Sequence, residues 1–312
     1  MTAADGILVI IGAGVVAYTV LGGADFGGGV WDLLAKDKRQ RDLIASTMGP
    51  VWEANHVWLV FVLIGLFSGF PVAFGQLARM LTVPLAIALL GIVMRGAAFV
   101  FRQYGEPSEM TTSWGRVFAM ASVLAPASLG YCAGSLAIGR VGGWFPVASA
   151  GLALACCAYL AAVFLCREAV VRAEPRLAAD FRRRALASAI VTGVLAVGAL
   201  PVLAHDAPDL AADLIAPPLG VSVVAGIGTI VALLRHRYRT ARVFAATAVA
   251  AVVAGWGLAQ YPVLVPPDLT PTEAAAPAQT LPVTLGVLIG GFAVTLPAVA
   301  FLFRVFGHPE PD

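Results

Sequence analysis

Charged residues are scarce in this chain of 312 residues. Asp, Glu, Lys and Arg together make up 12% of it, whereas they make up about 25% of a typical soluble domain. Hydrophobic residues account for 60% of the sequence, and the mean hydropathy is +0.88. This composition excludes a water-soluble globular protein and predicts an integral membrane protein.

Cysteine and histidine are also few, with four residues of each. Every cysteine lies inside an apolar run and none has a histidine at metal-ligand spacing, so we predict neither a disulfide framework nor a metal site. The sequence also lacks a phosphate-binding loop, a nucleophile elbow and a zinc-protease helix. Its basic residues are scattered over short segments, which excludes nucleic acid as a partner. We predict buried packing roles for the cysteines, which are Cys132, Cys156, Cys157 and Cys166.

Long apolar runs, by contrast, are abundant. A helix needs about 20 apolar residues to cross the hydrocarbon core of a bilayer, and nine runs in the sequence approach or exceed that length. We therefore predict an all-α polytopic fold with about nine transmembrane helices in a single integral membrane domain, residues 1–312. The predicted spans are 7–23, 54–73, 77–101, 114–139, 146–166, 185–204, 218–234, 241–260 and 281–303.

Basic residues follow every second predicted span. They cluster at 36–41, 167–184 and 235–242, whereas the intervening segments carry acidic residues such as Asp206. Because lysine and arginine favour the cytoplasmic side of a membrane, this alternation predicts an external N-terminus and a cytoplasmic C-terminus. It also makes segment 262–280, rich in proline and alanine, an external loop.

Polar side chains at membrane depth are costly, so they mark function more often than their counterparts in soluble proteins. One of them is Asp25, which lies among five glycines in the segment Gly22–Gly29. We expect these glycines to break the helix at the end of the first span and to let another backbone approach closely. From its position alone, Asp25 is either a helix-end carboxylate in interfacial water or a carboxylate that exchanges protons.

A second polar group follows Pro50, at the start of the second span. Glu53 and His56 are three residues apart, so they lie on adjoining parts of one helix face. The helix dipole alone would account for Glu53 in a first turn. Both side chains can also exchange protons, and we predict proton transfer by Asp25, Glu53 and His56. A haem- or metal-ligand role for His56 is the weaker hypothesis, because no second histidine stands at ligand spacing.

Two tryptophans surround this pair. Trp52 and Asn55 share a helix face, and Trp58 follows within the next turn. Tryptophans near a span end are more often interface anchors than cofactor contacts. We therefore assign Trp52, Asn55 and Trp58 structural roles at the start of this helix.

Two arginines, Arg95 and Arg102, end the third span. They are seven residues apart and so share a helix face. Arg102 fits an arginine that extends to the cytoplasmic surface. Arg95 lies about two turns deeper, and we expect it to pair with a partner subunit or with an acidic group, for which Asp25 and Glu53 are the candidates.

At these residues the chain resembles subunit II of the cytochrome bd-type quinol oxidases. The resemblance rests on a Gly-x-Asp-x-Gly turn at Gly23–Gly27, a Pro-x-Trp-Asp-Gly-Asn-like motif at Gly49–Leu59 and an Arg-Gly-x-Ala-Phe-x-Phe-Arg-like motif at Arg95–Arg102. A weaker match, rich in proline, lies at 261–270. The chain departs from the pattern by carrying Glu53 where the family has aspartate, which keeps the carboxylate but lengthens its reach.

The resemblance implies a nine-helix subunit without a haem of its own, whose partner, subunit I, contains the active site. Subunit I would carry haems b and d, or haem b alone. The complex would oxidise quinol, reduce O2 to water and generate proton motive force in the bacterial cytoplasmic membrane. In this chain Asp25 and Glu53 would serve proton uptake from the cytoplasm. The resemblance further implies bound lipid, a small accessory subunit and a structural quinone, for which Trp52 is the candidate contact.

Two other functions are compatible with a polytopic protein that has a polar patch. A proton-coupled secondary transporter would show inverted repeats and paired broken helices near the bilayer midplane. A structural membrane scaffold would leave the carboxylates as interfacial residues. The concentration of polar residues towards one side, with few ionisable groups in the later spans, favours the oxidase subunit.

Overall fold

The structure, a computed structural model, describes residues 2–48, 52–104, 109–214 and 217–306. Within these ranges the protein is helical, apart from connecting segments and an isolated antiparallel bridge between Val265 and Leu269. In chain order the helices are α1 (Ala3–Ala17), α2 (Gly23–Leu33), α3 (Lys38–Met48), α4 (Trp52–Ile64), α5 (Pro71–Met80), α6 (Thr82–Tyr104), α7 (Glu109–Ala137), α8 (Trp144–Val171), α9 (Pro175–Asp206), α10 (Pro208–Leu214), α11 (Pro217–Leu234), α12 (Tyr238–Gln260), α13 (Pro271–Ala274) and α14 (Thr280–Phe306).

The all-α polytopic fold is confirmed. Eight helical segments in the described ranges are long and apolar enough to cross a membrane, and a bent helix pair brings the number to nine. Large apolar side chains remain exposed on these helices, for example Val83 on α6 and Val294 on α14. Such exposed apolar surface is expected where helices face lipid or another membrane subunit rather than water.

The span predicted at 54–73 corresponds to a bent helix pair rather than to one straight helix. The helix that contains Asn55 ends at Gly69, and α5 starts at Pro71 after a bend of 116°. Proline has no backbone N–H to continue the helix but is well suited to start a new one. The backbone N–H of Ala276 donates to the carbonyl of Gly69 at 2.8 Å, so the segment between α12 and α14 packs against the bend.

The expectation that the glycines of Gly22–Gly29 break the helix was wrong. α1 and α2 form one helical segment, Ala3–Leu33, joined by a π-helical turn at Tyr18–Gly22. The second part of the expectation is confirmed, because these glycines bring helices close together. A Cβ atom at Gly27 would overlap the Cys157 carbonyl oxygen of α8. The glycines thus act as packing positions along an unbroken helix rather than as helix breakers.

Small and apolar side chains fill a core between α3, α8 and α9. Ala161 and Leu165 of α8 belong to this core and are fully buried. The four cysteines are free thiols; Cys132, Cys157 and Cys166 are buried and Cys156 is half-buried. This agrees with the packing role predicted for them.

Candidate functional site

A buried ion pair between Asp25 and Arg95 lies at the centre of the candidate site. Asp25 comes from α2 and Arg95 from α6, and their side chains are 3% and 2% exposed. Arg95 Nη2 donates to Asp25 Oδ1 at 2.7 Å, and Nη1 donates to Oδ2 at 2.9 Å. The contact is therefore bidentate, the geometry for which a planar guanidinium is suited. Of the two candidate counter-charges for Arg95, Asp25 is the one that contacts it.

The remaining groups of Arg95 are also engaged. Its Nε donates to the hydroxyl of Ser122 on α7 at 2.9 Å, and Nη2 reaches the Asp25 carbonyl at 3.2 Å. The guanidinium carbon lies 5.0 Å from the ring centroid of Phe26 and 4.8 Å from that of Phe118. These contacts offset the cost of placing a cation in the protein interior.

A second ion pair follows one heptad further along the same two helices. Arg102 Nη1 donates to Asp32 Oδ2 at 2.7 Å, and Nη2 lies 3.3 Å from Oδ1. The Arg102 side chain is 24% exposed and that of Asp32 is 6% exposed. The prediction that Arg102 simply extends to the surface was incomplete, since its guanidinium is held by Asp32. Asp32 was missed, although its seven-residue spacing from Asp25 matches the spacing of the two arginines.

The polar group at the start of α4 is adjacent to the π-helical turn of the first span. Asn55 is buried, and its Nδ2 donates to the Leu21 carbonyl at 3.2 Å. The ring of His56 meets the edge of Tyr18 at a centroid distance of 6.1 Å, and Tyr18 in turn contacts Phe26 at 6.3 Å. Asn55 and His56 are thereby connected to the helix that carries Asp25.

Trp58 lies in an aromatic cluster of the core. It is 3% exposed and contacts Phe61 and Phe292 at centroid distances of 6.4 and 5.5 Å. The expectation of an interface anchor was wrong for this residue, because its ring is enclosed by α4 and α14. Trp52 and Glu53 belong to the first turn of α4, but their side chains lie outside the described residues.

A cavity of about 550 Å³ borders the ion pair, and we call it the α8–α12 cavity. Asp25, Asn55 and Thr47 line it on the side of α2, α3 and α4. Three arginines and several apolar residues of α8 and α12 line the opposite side. Water in a cavity of this kind would have direct access to the neighbourhood of Asp25.

Metal-ligating side chains do not cluster in the described part of the chain, where no group of three or more His, Cys, Asp or Glu residues could hold an ion. His205 is exposed in the last turn of α9, and His236 is exposed in the connection between α11 and α12. His308 lies outside the described residues.

Comparison with known proteins identifies the family. The sequence profile of the cytochrome bd terminal oxidase subunit II matches residues 5–306. The chain belongs to this subunit II family. Among curated relatives it is 32% identical over 116 residues to the cytochrome bd ubiquinol oxidase subunit 2 of Bacillus subtilis (strain 168), which is 37% of this chain and 34% of that protein. It is 23% identical over 129 residues to the cytochrome bd-I ubiquinol oxidase subunit 2 of Escherichia coli (strain K12), 41% of this chain and 34% of that protein.

These alignments span about a third of the length of the curated relatives. A solved structure of bd oxidase from Geobacillus thermodenitrificans matches more widely, over 98% of this subunit II chain and 99% of that chain. The TM-score is 0.78 and the sequence identity is 22%, so this likeness establishes the fold. In the subunit II described here, the motif at Gly23–Gly27 and the motif at Arg95–Arg102 meet in the Asp25–Arg95 ion pair.

Proposed function

We propose that this subunit II works in a bacterial cytoplasmic-membrane complex that oxidises quinol and reduces O2 to water. The observation that carries the proposal is the family match over residues 5–306. The active site lies in a partner, subunit I, whose haems b and d, or b alone, supply the redox chemistry. A small accessory subunit and a structural quinone near Trp52 belong to the same proposal. This chain supports assembly and proton uptake, and residues 1–312 act as one membrane domain.

The test is co-purification from the native membrane. A tag on this chain is expected to recover a larger haem-bearing subunit, reduced-minus-oxidised haem bands and quinol-dependent O2 consumption. The same chain expressed without its partner is expected to show no haem bands. A haem spectrum from the chain alone would contradict the assignment of the haems to subunit I. Solute transport by the chain alone would contradict the oxidase function.

Proton uptake proceeds from the arginine-rich end of the helices, which the charge pattern predicts to be cytoplasmic. The α8–α12 cavity supports this route, because both Asp25 and Asn55 line it. Both carboxylate oxygens of Asp25 accept hydrogen bonds from Arg95, which hold this carboxylate in place beside the cavity. Glu53 and His56, one turn apart on α4, continue the route by proton exchange.

The role of Glu53 is tested by a pair of substitutions. Glu53→Gln removes the titratable group while keeping the size of the side chain, and it is expected to slow O2 consumption of the assembled complex. Glu53→Asp keeps a carboxylate and is expected to retain turnover. Wild-type O2 consumption and charge separation in Glu53→Gln would leave Glu53 with a helix-capping role only.

The transporter hypothesis finds less support. A secondary transporter is expected to hold paired broken helices around a site near the midplane. The described residues contain a single helix pair bent by more than 40°, Asn55–Gly69 with Pro71–Met80. The Asp25–Arg95 pair lies on other helices, so the bend and the buried charges do not form one substrate site.

A further inference from the structure

The lining of the α8–α12 cavity changes along its length. On α8 it runs from Leu160 to Arg167, and on α12 from Arg239 to Thr247. At a rise of about 1.5 Å per residue these stretches cover about 10 and 12 Å. The arginines lie at the end where α8 is about to finish and α12 has just begun. The cavity therefore has a cationic end near the predicted membrane surface and an apolar wall that leads deeper.

Positive charge dominates the cationic end. Arg167, Arg239 and Arg242 line it, and the carboxylate of Glu168 beside Arg167 offsets part of their charge. Arg167 also donates to Glu168 at 3.0 Å, and the guanidinium of Arg242 lies 4.7 Å from the Phe164 ring centroid. Among the described residues that line the cavity, the acidic one is Asp25, whose carboxylate is already bound by Arg95.

The deeper wall is apolar. Leu160, Val163 and Phe164 of α8 face Val243 and Ala246 of α12 across the cavity. Val243, which lines the cavity, is 64% exposed, so this apolar wall is open to whatever covers the chain there, lipid or another membrane subunit. A small hydrophilic anion would neutralise the arginines but leave the apolar wall in contact with water.

We propose that the α8–α12 cavity binds an anionic phospholipid. The phosphate group lies among Arg167, Arg239 and Arg242, and an acyl chain follows the wall formed by α8 and α12, on the side of the cavity opposite Asp25 and Asn55. Basic pockets between transmembrane helices are suited to anionic headgroups, and guanidinium groups bind phosphate oxygens through charge-assisted hydrogen bonds. The volume of about 550 Å³ lies within the usual range of small-molecule sites. This lipid site is a separate property from quinol oxidation, since its ligand undergoes no reaction.

The test measures lipid retention by the tagged chain, purified with the subunits that accompany it. The complex is washed in neutral detergent, incubated with a mixture of phosphatidylglycerol and phosphatidylcholine, and analysed by native mass spectrometry. The wild-type complex is expected to retain phosphatidylglycerol in preference to phosphatidylcholine. Arg242→Gln is expected to lower phosphatidylglycerol retention about fivefold. The matched control is Arg235→Gln, because Arg235 is exposed just before α12 and does not line the cavity.

A second variant tests the apolar wall without altering a charge. Ala246→Phe fills the space where the acyl chain is expected, so it should lower phosphatidylglycerol retention while leaving all three arginines in place. Equal retention by Arg242→Gln and Arg235→Gln would overturn the proposal. Unchanged retention by Ala246→Phe, or full displacement of the lipid by inorganic phosphate, would indicate a site for free anions and would also overturn it. A density map of the wild-type complex that shows a quinone in this cavity would also overturn the proposal.

Discussion

The two ion pairs between α2 and α6 have the same chemistry but different surroundings. Asp25–Arg95 is almost completely buried, and its guanidinium lies between two phenylalanine rings and a serine hydroxyl. Asp32–Arg102 lies seven residues further along both helices, and the Arg102 side chain remains 24% exposed. Water can therefore replace part of what is lost when the Asp32–Arg102 pair is broken. Asp25 lines the α8–α12 cavity but is only 3% exposed, so it gains much less from water.

This difference shows that the burial of an ion pair decides how much stability is lost when one partner is removed. An intact buried pair adds little stability relative to apolar residues of similar volume, but the loss of one partner leaves an uncompensated charge. The Asp25–Arg95 pair thus constrains the packing of α2 against its neighbours, because removal of either partner alone leaves the other charge buried and uncompensated. The Asp32–Arg102 pair tolerates change more easily because solvent screens it.

The largest effect is expected for Arg95→Leu. This change leaves the Asp25 carboxylate buried without its partner, at a cost of about 3–5 kcal/mol. We expect a large loss of assembled complex and a lower melting temperature in detergent. The matched control is Arg183→Leu, whose side chain is 81% exposed and should tolerate the change.

A double variant separates the ion pair from general packing effects. Asp25→Leu combined with Arg95→Met replaces both charges by apolar groups, so stability should recover well above that of Arg95→Leu. A fully assembled Arg95→Leu complex, or a double variant that is no more stable than the single one, would contradict this account of the pair.

A smaller effect is expected for Arg102→Leu. Asp32 then loses its partner. Its own side chain is only 6% exposed, but Arg102, which covers it, is 24% exposed, so water can enter where the guanidinium was and the expected cost is about 2 kcal/mol. The melting temperature in detergent, compared with that of Arg95→Leu, measures this cost. If the two variants were equally destabilised, the contrast in burial between the pairs would have no energetic consequence.

Ser122→Ala is expected to cost about 1 kcal/mol, because Arg95 keeps its carboxylate partner and loses one hydrogen bond from Nε. Ser122→Thr serves as its control, since it retains the hydroxyl. Melting temperatures of both variants provide the measurement. A loss as large as that of Arg95→Leu would mean that Ser122, rather than Asp25, holds the arginine in place.

The smallest effect is expected for Arg140→Gln. Arg140 pairs with Asp206 at 3.0 Å, but its side chain is 55% exposed. Exposed ion pairs contribute about 0–1 kcal/mol, and salt screens them. The melting temperature should hardly change. A marked decrease would show that exposure alone does not rank the ion pairs of this protein.

Several parts of the fold and the site could be predicted from the sequence. The apolar runs predict the number and approximate position of the spans, because span length is set by bilayer thickness. The isolation of Asp25 and Arg95 within apolar segments predicts that they find partners. The helical path through Gly22–Gly29 and the size of the bend before Pro71 were not predictable, because both depend on which helices pack at those positions.

The missed role of Asp32 has a similar cause. Asp32 lies close to the basic segment after the first span, where a solvated carboxylate needs no explanation. Its matching spacing with Arg102 becomes meaningful only when α2 and α6 are known to lie within reach of each other. The inward orientation of Trp58 is a comparable case, since the ring that encloses it, Phe292, comes from the last span.

The sequence by itself determined that this protein lies in a membrane, which segments span it and which few charges need an explanation. These properties follow from hydrophobicity, span length and the cost of a charge in hydrocarbon, all of which are local. Only the tertiary structure decided that Asp25 pairs with Arg95, that Asp32 pairs with Arg102 and that a cavity with a cationic end opens beside them. Those contacts join residues 70 or more positions apart, and their geometry depends on how whole helices pack.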